Sequence, residues 1–308
     1  MLEIREVSKT YDGRAVVDRV TADVAAGEIF AMLGPNGAGK TTLIRMITDI
    51  LRPDSGTIRI GGLAPGDVGP AEIGYLPEER GLYKRSKVSE VLAYWGQLKG
   101  IEAREAKVRA MKLIERIELA EWADKPVQAL SKGMQQKVQL ATALIGDPKL
   151  LILDEPFTGL DPVNTQMFEQ ILFERRAAGT TVILSTHQMN KVEELCDRAL
   201  MIHRGRVVLY GSVRDLRRRF AEHAILIHAD APVPAVPGVR SVLAQDGGYK
   251  LSLEQGATPH EVLRELLNRG VAPDSFQLAS LPLEDIFIKV VRDDLGEDTP
   301  VPEMAGSR

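Results

Sequence analysis

The chain has 308 residues, with 44% hydrophobic and 27% charged side chains, a single cysteine and a formal net charge of -4. That length predicts about two domains and that composition a soluble globular protein with a real core. The acidic balance argues against a nucleic-acid binder, and one cysteine rules out an internal disulfide and favours an intracellular setting. Met1-Leu2-Glu3-Ile4-Arg5 lacks the apolar core of a signal peptide, and no run approaches the roughly 18 apolar residues of a membrane span. Action at a membrane therefore requires another chain to cross it.

In chain order, Leu2–Val7, Val16–Val24 and Thr57–Gly61 read as antiparallel strands. Between them, Glu28–Leu33 is a short apolar strand and Leu43–Ile47 is apolar at helical spacing. The connecting Gly34-Pro35-Asn36-Gly37-Ala38-Gly39-Lys40-Thr41-Thr42 fits a phosphate-binding loop: a glycine, four free positions, then Gly-Lys-Thr. Glycines let backbone N–H groups converge on phosphate oxygens, and the following helix adds about half a positive charge at its amino end. Lys40 is expected over the β- and γ-phosphates, with the Thr41 hydroxyl on a magnesium ion. The chain is therefore expected to bind a nucleoside triphosphate.

Strand character vanishes from Val88 to Gly146, where three helical patterns follow one another; this predicts a helical insertion. Near its end, Leu130-Ser131-Lys132-Gly133-Met134-Gln135-Gln136-Lys137 offers a hydroxyl and free N–H groups at a helix start, as either an anion site or a plain cap. Strands resume at Lys149–Asp154, Thr180–Ser185, Ala199–His203 and Arg206–Tyr210. The first ends in Asp154-Glu155, which a buried strand delivers to the ligand-binding edge of an α/β sheet. Asp154 is expected to hold magnesium, and Glu155 to orient or deprotonate the attacking water. His187 ends the next strand, where it either takes a structural hydrogen bond or reaches the γ-phosphate. Cys196 reads as a partly buried helix residue with no reactive role.

Residues 1–220 thus read as an α/β domain with a largely parallel sheet. Arg214–Arg219 reads as a solvated helix end, with contact to anionic lipid as the alternative. Strands at Ala224–His228, Val239–Ala244, Tyr249–Leu253 and Ser275–Leu278, with helices at Pro259–Asn268 and Leu283–Arg292, predict a small α+β domain over 221–295. Residues 296–308 read as a disordered tail.

Taken together, these motifs over residues 1–220 resemble the ATP-binding-cassette (ABC) family, a P-loop NTPase fold with an antiparallel β subdomain and a helical insertion. The resemblance implies that Tyr11 stacks on adenine and that residues 34–42, notably Gly34, Asn36, Gly37, Gly39, Lys40, Thr41 and Thr42, cradle the phosphates. It implies that Ser131 and Gly133 grip the γ-phosphate of a partner subunit's ATP, and that Asp161 belongs to the loop coupling the two sites. It makes Asp154 the magnesium acid, Glu155 the catalytic acid and His187 the switch histidine. A head-to-tail dimer, with itself or a related subunit, sandwiches two ATP molecules; ATP closes it and hydrolysis opens it.

Three positions, in two motifs, depart from the family pattern. Glu78, in Gly74-Tyr75-Leu76-Pro77-Glu78-Glu79, stands where a glutamine is usual, and is assigned to magnesium sensing. Lys132 and Met134 replace a glycine and a glutamine, while Ser131 and Gly133 are kept. These departures and the carboxy-terminal domain, ending Leu281–Phe287, resemble the ATP-binding subunits of bacterial exporters related to the sodium-extrusion system. The branch implies an ATPase at the cytoplasmic face of the membrane, joined to polytopic permease subunits and driving export of sodium or another small solute, with no nucleic-acid partner. Gly81–Val91 and the following helices, through Leu82, Tyr83, Val88 and Leu92, are expected to receive the permease, with ordinary core packing as the alternative for any one of the four. The competing reading is a soluble ABC ATPase acting on ribosomes or DNA. A third, compatible with either, makes residues 221–295 a module that binds a ligand or the partner cassette.

Overall fold

The computed structural model describes residues 1–79, 81–220, 224–229, 233–245, 248–254, 256–279 and 282–295. Asp12-Gly13 takes left-handed backbone at both positions (φ +48° and +77°), the turn that suits the natural twist of a two-residue hairpin. It joins β1 (Leu2–Tyr11) to β2 (Arg14–Val24). Leu2 and Ile4 point inward between exposed Glu3 and Arg5. A register shift between Ile4 and Val7, with Glu6 at φ +49°, moves the alternation by one so that Val7 is buried too.

After β3 (Ile29–Leu33) and α1 (Lys40–Ile47), β4 (Ser55–Ile60) returns to the other side of β1, giving a three-stranded antiparallel sheet in the order β2-β1-β4. Beyond β5 (Ile73–Leu76), the insertion consists of α2 (Val88–Leu98), α3 (Ala103–Arg116) and α4 (Lys132–Leu144). Then β6 (Leu150–Asp154), α5 (Pro162–Ala177), β7 (Thr181–Thr186), α6 (Met189–Leu195), β8 (Arg198–His203) and β9 (Arg206–Ser212) follow.

These strands complete a six-stranded sheet ordered β5-β6-β7-β3-β8-β9, parallel except for β9. Every residue of β3, β6 and β7 is buried, as a parallel sheet covered on both faces requires. On one face Phe30, Met32, Ile152 and Ile183 pack with Leu43, Ile44 and Ile47 of α1 and with the β1–β2–β4 sheet. On the other, Leu151, Leu153 and Leu184 pack with α2, α4 and α5. The carboxyl ends of β3, β6 and β7 are therefore adjacent and fixed from both sides.

The chain divides into Met1–Val213 and Arg214–Glu297, within α7 (Val213–Arg219), whose last turn carries Arg217, Arg218 and Arg219 where the helix dipole favours cations. In the second unit β10 (Ala224–His228), β11 (Val239–Gln245), β12 (Gly248–Leu253) and β13 (Ser275–Leu278) form an antiparallel sheet ordered β11-β12-β10-β13. Its core gathers Ile225, Ile227, Leu251 and Leu253 with Val262 and Leu266 of α8 (Pro259–Asn268). Thr258 and Glu261 cap α8 reciprocally, and α9 (Leu283–Leu295) follows.

The expected mixed sheet, antiparallel subdomain and three-helix insertion are all present. α5 and the short β5 were not among the expected elements, and α6 was expected only as the helix around Cys196. Cys196 lies one residue beyond α6 rather than within a helix, and burial pushes its thiol pKa well above the ordinary range. The segment 296–308 lies outside the described residues.

Candidate functional site

Gly34 to Thr42 turns from the end of β3 into α1, and its shape is dictated by contact. A Cβ on Gly34 (φ +150°) would lie 2.3 Å from the carbonyl oxygen of Ile202 on β8. One on Gly39 (φ +109°) would lie 2.5 Å from that of Val16 on β2. Only glycine fits at either place. The loop is thereby wedged against both sheets, and α1 starts with no acid in its first turn, its free N–H groups facing a cleft.

That cleft, about 280 Å³, is lined by residues 36–42 together with Glu78, Asp154 and Glu155. Lys40 is buried; its Nζ donates to the carbonyl of Gly34 at 2.7 Å and of Pro35 at 3.3 Å. Burial lowers the pKa of its ammonium, while Glu155, Asp154 and Glu78 pull it back up. One cation thus faces three carboxylates, so the cleft carries an excess of negative charge that suits a bound cation, while Lys40 is the group placed to meet an incoming phosphate.

Thr41 Oγ1 donates to Asp154 Oδ2 at 3.0 Å, and Asp154 Oδ1 is buried with no hydrogen-bond partner. A buried acceptor without a partner is costly. Here it lies beside a hydroxyl, with a second carboxylate on the same cleft, so the donors are all hard oxygens of the kind magnesium takes. Among the described residues no group of three or more His, Cys, Asp or Glu could hold a metal unaided, which suits an ion completed by water and substrate phosphates.

Glu155 follows β6 with a left-handed backbone (φ +50°). Its N–H donates to the Ser185 carbonyl at 2.8 Å, its Oε1 lies 2.9 Å from His187 Nδ1, and its Oε2 accepts from Thr186 Oγ1 at 3.3 Å. Lys40 Nζ is 4.0 Å from Oε1. A carboxylate so fixed, beside a buried cation and at the mouth of a phosphate cradle, is arranged to activate water.

Comparison with known proteins agrees. A family model described as ABC transporter matches residues 17–158, and one described as ATP-binding protein DrrA1-3-like, C-terminal domain, matches residues 211–291. Over 294 residues the chain is 37% identical to the uncharacterized ABC transporter ATP-binding protein YhaQ of Bacillus subtilis, covering 94% of this chain and 98% of that protein. The chain belongs to the ABC transporter ATP-binding proteins. The ABC chain is also 39% identical to the Nod factor export ATP-binding protein I of Sinorhizobium fredii, over 94% of this chain and 85% of that one. A solved structure described as the ATP-binding subunit of an ABC transporter superposes with a TM-score of 0.67 at 34% identity, over 71% of this chain and 93% of that one. Like its family, this ABC subunit binds and hydrolyses ATP.

The remaining residues expected at the site lie outside the lining of the cleft. Tyr11 ends β1, 46% exposed, with Lys9 Nζ 5.9 Å from its ring centroid. Ser131 caps α4 by accepting from Met134 N at 3.2 Å. A Cβ on Gly133 would lie 3.7 Å from Asn164 Nδ2, and Asp161 caps α5 through the Asn164 N–H at 2.9 Å. That bond first among several keeps the Asp161 carboxyl below its ordinary pKa. Ser131, Gly133 and Asp161 therefore share a second surface of this ABC subunit.

Three residues escaped the sequence reading. Thr186 touches Glu155, as above. Gln136 and Gln139, both buried on α4, donate to the carbonyls of Pro156 at 3.3 Å and Glu79 at 3.2 Å. Each grips the peptide next to a cleft acid, and two polar residues three apart inside an apolar helix are the only signal that marks them. Val88 and Leu92, expected in a permease groove, are instead fully buried core; their spacing is that of the packed face of α2. Tyr83 remains exposed, and its ring meets Tyr94 edge-on at 5.6 Å.

Proposed function

We propose that this subunit forms an ATP-dependent head-to-tail dimer whose hydrolysis cycle drives export through separate membrane-spanning subunits. The observation that carries the proposal is the separation of two surfaces. The cleft holds the loop, Lys40, Thr41, Asp154 and Glu155, while Ser131, Gly133 and Asp161 lie elsewhere. A second copy, turned end for end, brings its Ser131 and Gly133 over the phosphates held by the first.

In the closed dimer Lys40 moves from the Gly34 and Pro35 carbonyls to the β- and γ-phosphates. Thr41 and Asp154, with Glu78 on the same cleft, would hold magnesium, which would neutralise phosphate charge. Glu155 takes the proton of the attacking water, and His187, hydrogen-bonded to it, steadies charge on the γ-phosphate. Tyr11 stacks on the adenine.

Export finds support in the Sinorhizobium relative, a Nod factor export ATP-binding protein; the cargo we propose is sodium or another small solute. No helix among the described residues is long and apolar enough to cross a membrane; the permease in this proposal is a separate chain. We place its contact at the cytoplasmic face of the membrane, on Tyr83 and Tyr94, which with Ser86, Glu90 and Val91 line a hollow of about 320 Å³. The test is to purify tagged Glu155→Gln protein from its own cells with ATP and identify the co-purifying chains by mass spectrometry. A polytopic membrane protein in stoichiometric yield is expected. Ribosomes or DNA-bound proteins, with nothing from the membrane, overturn the export reading in favour of a soluble ATPase.

A further inference from the structure

We propose that Thr186 is a positioning residue for hydrolysis, holding Glu155 in the one orientation from which it can activate water; this rests on Glu155 being the base. The parallel register of β6 and β7 pairs Asp154 with Ser185, so Glu155, the first residue beyond β6, comes beside Thr186, the last residue of β7. Thr186 is fully buried, and a β-branched side chain in a strand has few rotamers. Its hydroxyl accepts from the Gln188 N–H at 3.0 Å. With that lone pair engaged, the single hydroxyl proton is directed to Glu155 Oε2, 3.3 Å away.

The need for such a contact follows from the carboxylate itself. The last torsion of glutamate is broad and roughly two-fold, so one hydrogen bond leaves the plane of the group free to turn. His187 holds only Oε1. Lys40, 4.0 Å from the same oxygen, draws the group toward itself once it moves to the phosphates. Thr186 holds the other oxygen from the β7 side, and two points fix the plane.

The experiment uses the full chain with magnesium and ATP. Thr186→Val keeps the shape and removes the hydroxyl; Thr186→Ser keeps the hydroxyl and removes the methyl. Turnover, KM and the affinity for a fluorescent ATP analogue are measured for both. Thr186→Val is expected to lower kcat roughly tenfold with KM and analogue affinity within about twofold, and Thr186→Ser to restore kcat to within about threefold. In a Glu155→Gln background Thr186→Val is expected to cost nothing further, because the group it positions is gone. Unchanged kcat in Thr186→Val overturns the proposal. So do equal losses in the two variants, a loss that follows analogue affinity, or an undiminished loss in the Glu155→Gln background. If Glu155→Gln alone retains turnover, the assignment of the base fails instead, and the two failures are told apart.

Discussion

The two sheets of this protein are built to opposite rules. In the first unit β3, β6 and β7 are buried on both faces and run parallel, so side chains within the strands are apolar and chemistry is confined to the ends. Lys40, Asp154, Glu155 and His187 all sit within a few residues of a strand terminus. In the second unit an antiparallel sheet buries alternate residues, such as Ile225, Ile227, Leu251 and Leu253, around a small apolar core. Its strand ends point alternately in both directions, so no edge collects like functional groups. A parallel sheet concentrates chemistry at one rim, whereas an antiparallel sheet spreads it.

The strongest way to break that comparison is at the rim. Lys40→Ala is expected to weaken ATP binding more than 100-fold, measured by equilibrium titration with a fluorescent analogue, since it removes the one buried cation among three carboxylates. Removal of residues 221–295 is expected to leave that affinity within about threefold and to change dimerisation or regulation instead; lost ATP binding would show that the rim depends on the second unit. Leu251→Ala should destabilise the second unit by about 2–5 kcal/mol in calorimetry, without altering nucleotide affinity. Gln136→Leu, which strips the donor from the Pro156 carbonyl, is expected to reduce turnover about threefold to tenfold while sparing KM. The smallest effect belongs to the exposed Asp54. The Lys9 hydrogen bond, foremost, holds its carboxyl below the ordinary range. A carboxyl with a depressed folded pKa stabilises above its unfolded value, about 3.9, and that stability is lost as pH falls through the folded value. Wild type and Asp54→Asn should therefore differ slightly in melting temperature at pH 7 and converge in acid.

The rim was readable in the sequence because its parts are short and contiguous. A glycine-rich turn between an apolar strand and a helix, two acids closing a second strand and a histidine closing a third are local patterns with fixed geometry. Asp12-Gly13 at the β1–β2 hairpin is a signal of the same local kind that the sequence reading did not take up. What escaped depends on pairing across the fold. Thr186 gains its meaning from the β6–β7 register, and Gln136 and Gln139 from the two loops packed beside α4. Val88 and Leu92 stayed undecided for the converse reason: an apolar residue on a helix does not announce whether it faces the core or a partner. The helix α5 was missed because its capping Asp161 drew attention as a loop residue, although Pro162 directly after it suits a first helical turn.

The partly buried Cys196 has a practical side. It is the only cysteine in the chain, and burial raises its pKa, so little thiolate is present near neutral pH to react. The wild-type sequence is therefore close to a blank background for maleimide chemistry. A cysteine introduced at an exposed position, such as Val163 or Ile50, would take a spin label or fluorophore without the native residue being removed. Opening and closing of the assembled subunits could then be followed as a distance in otherwise unaltered protein.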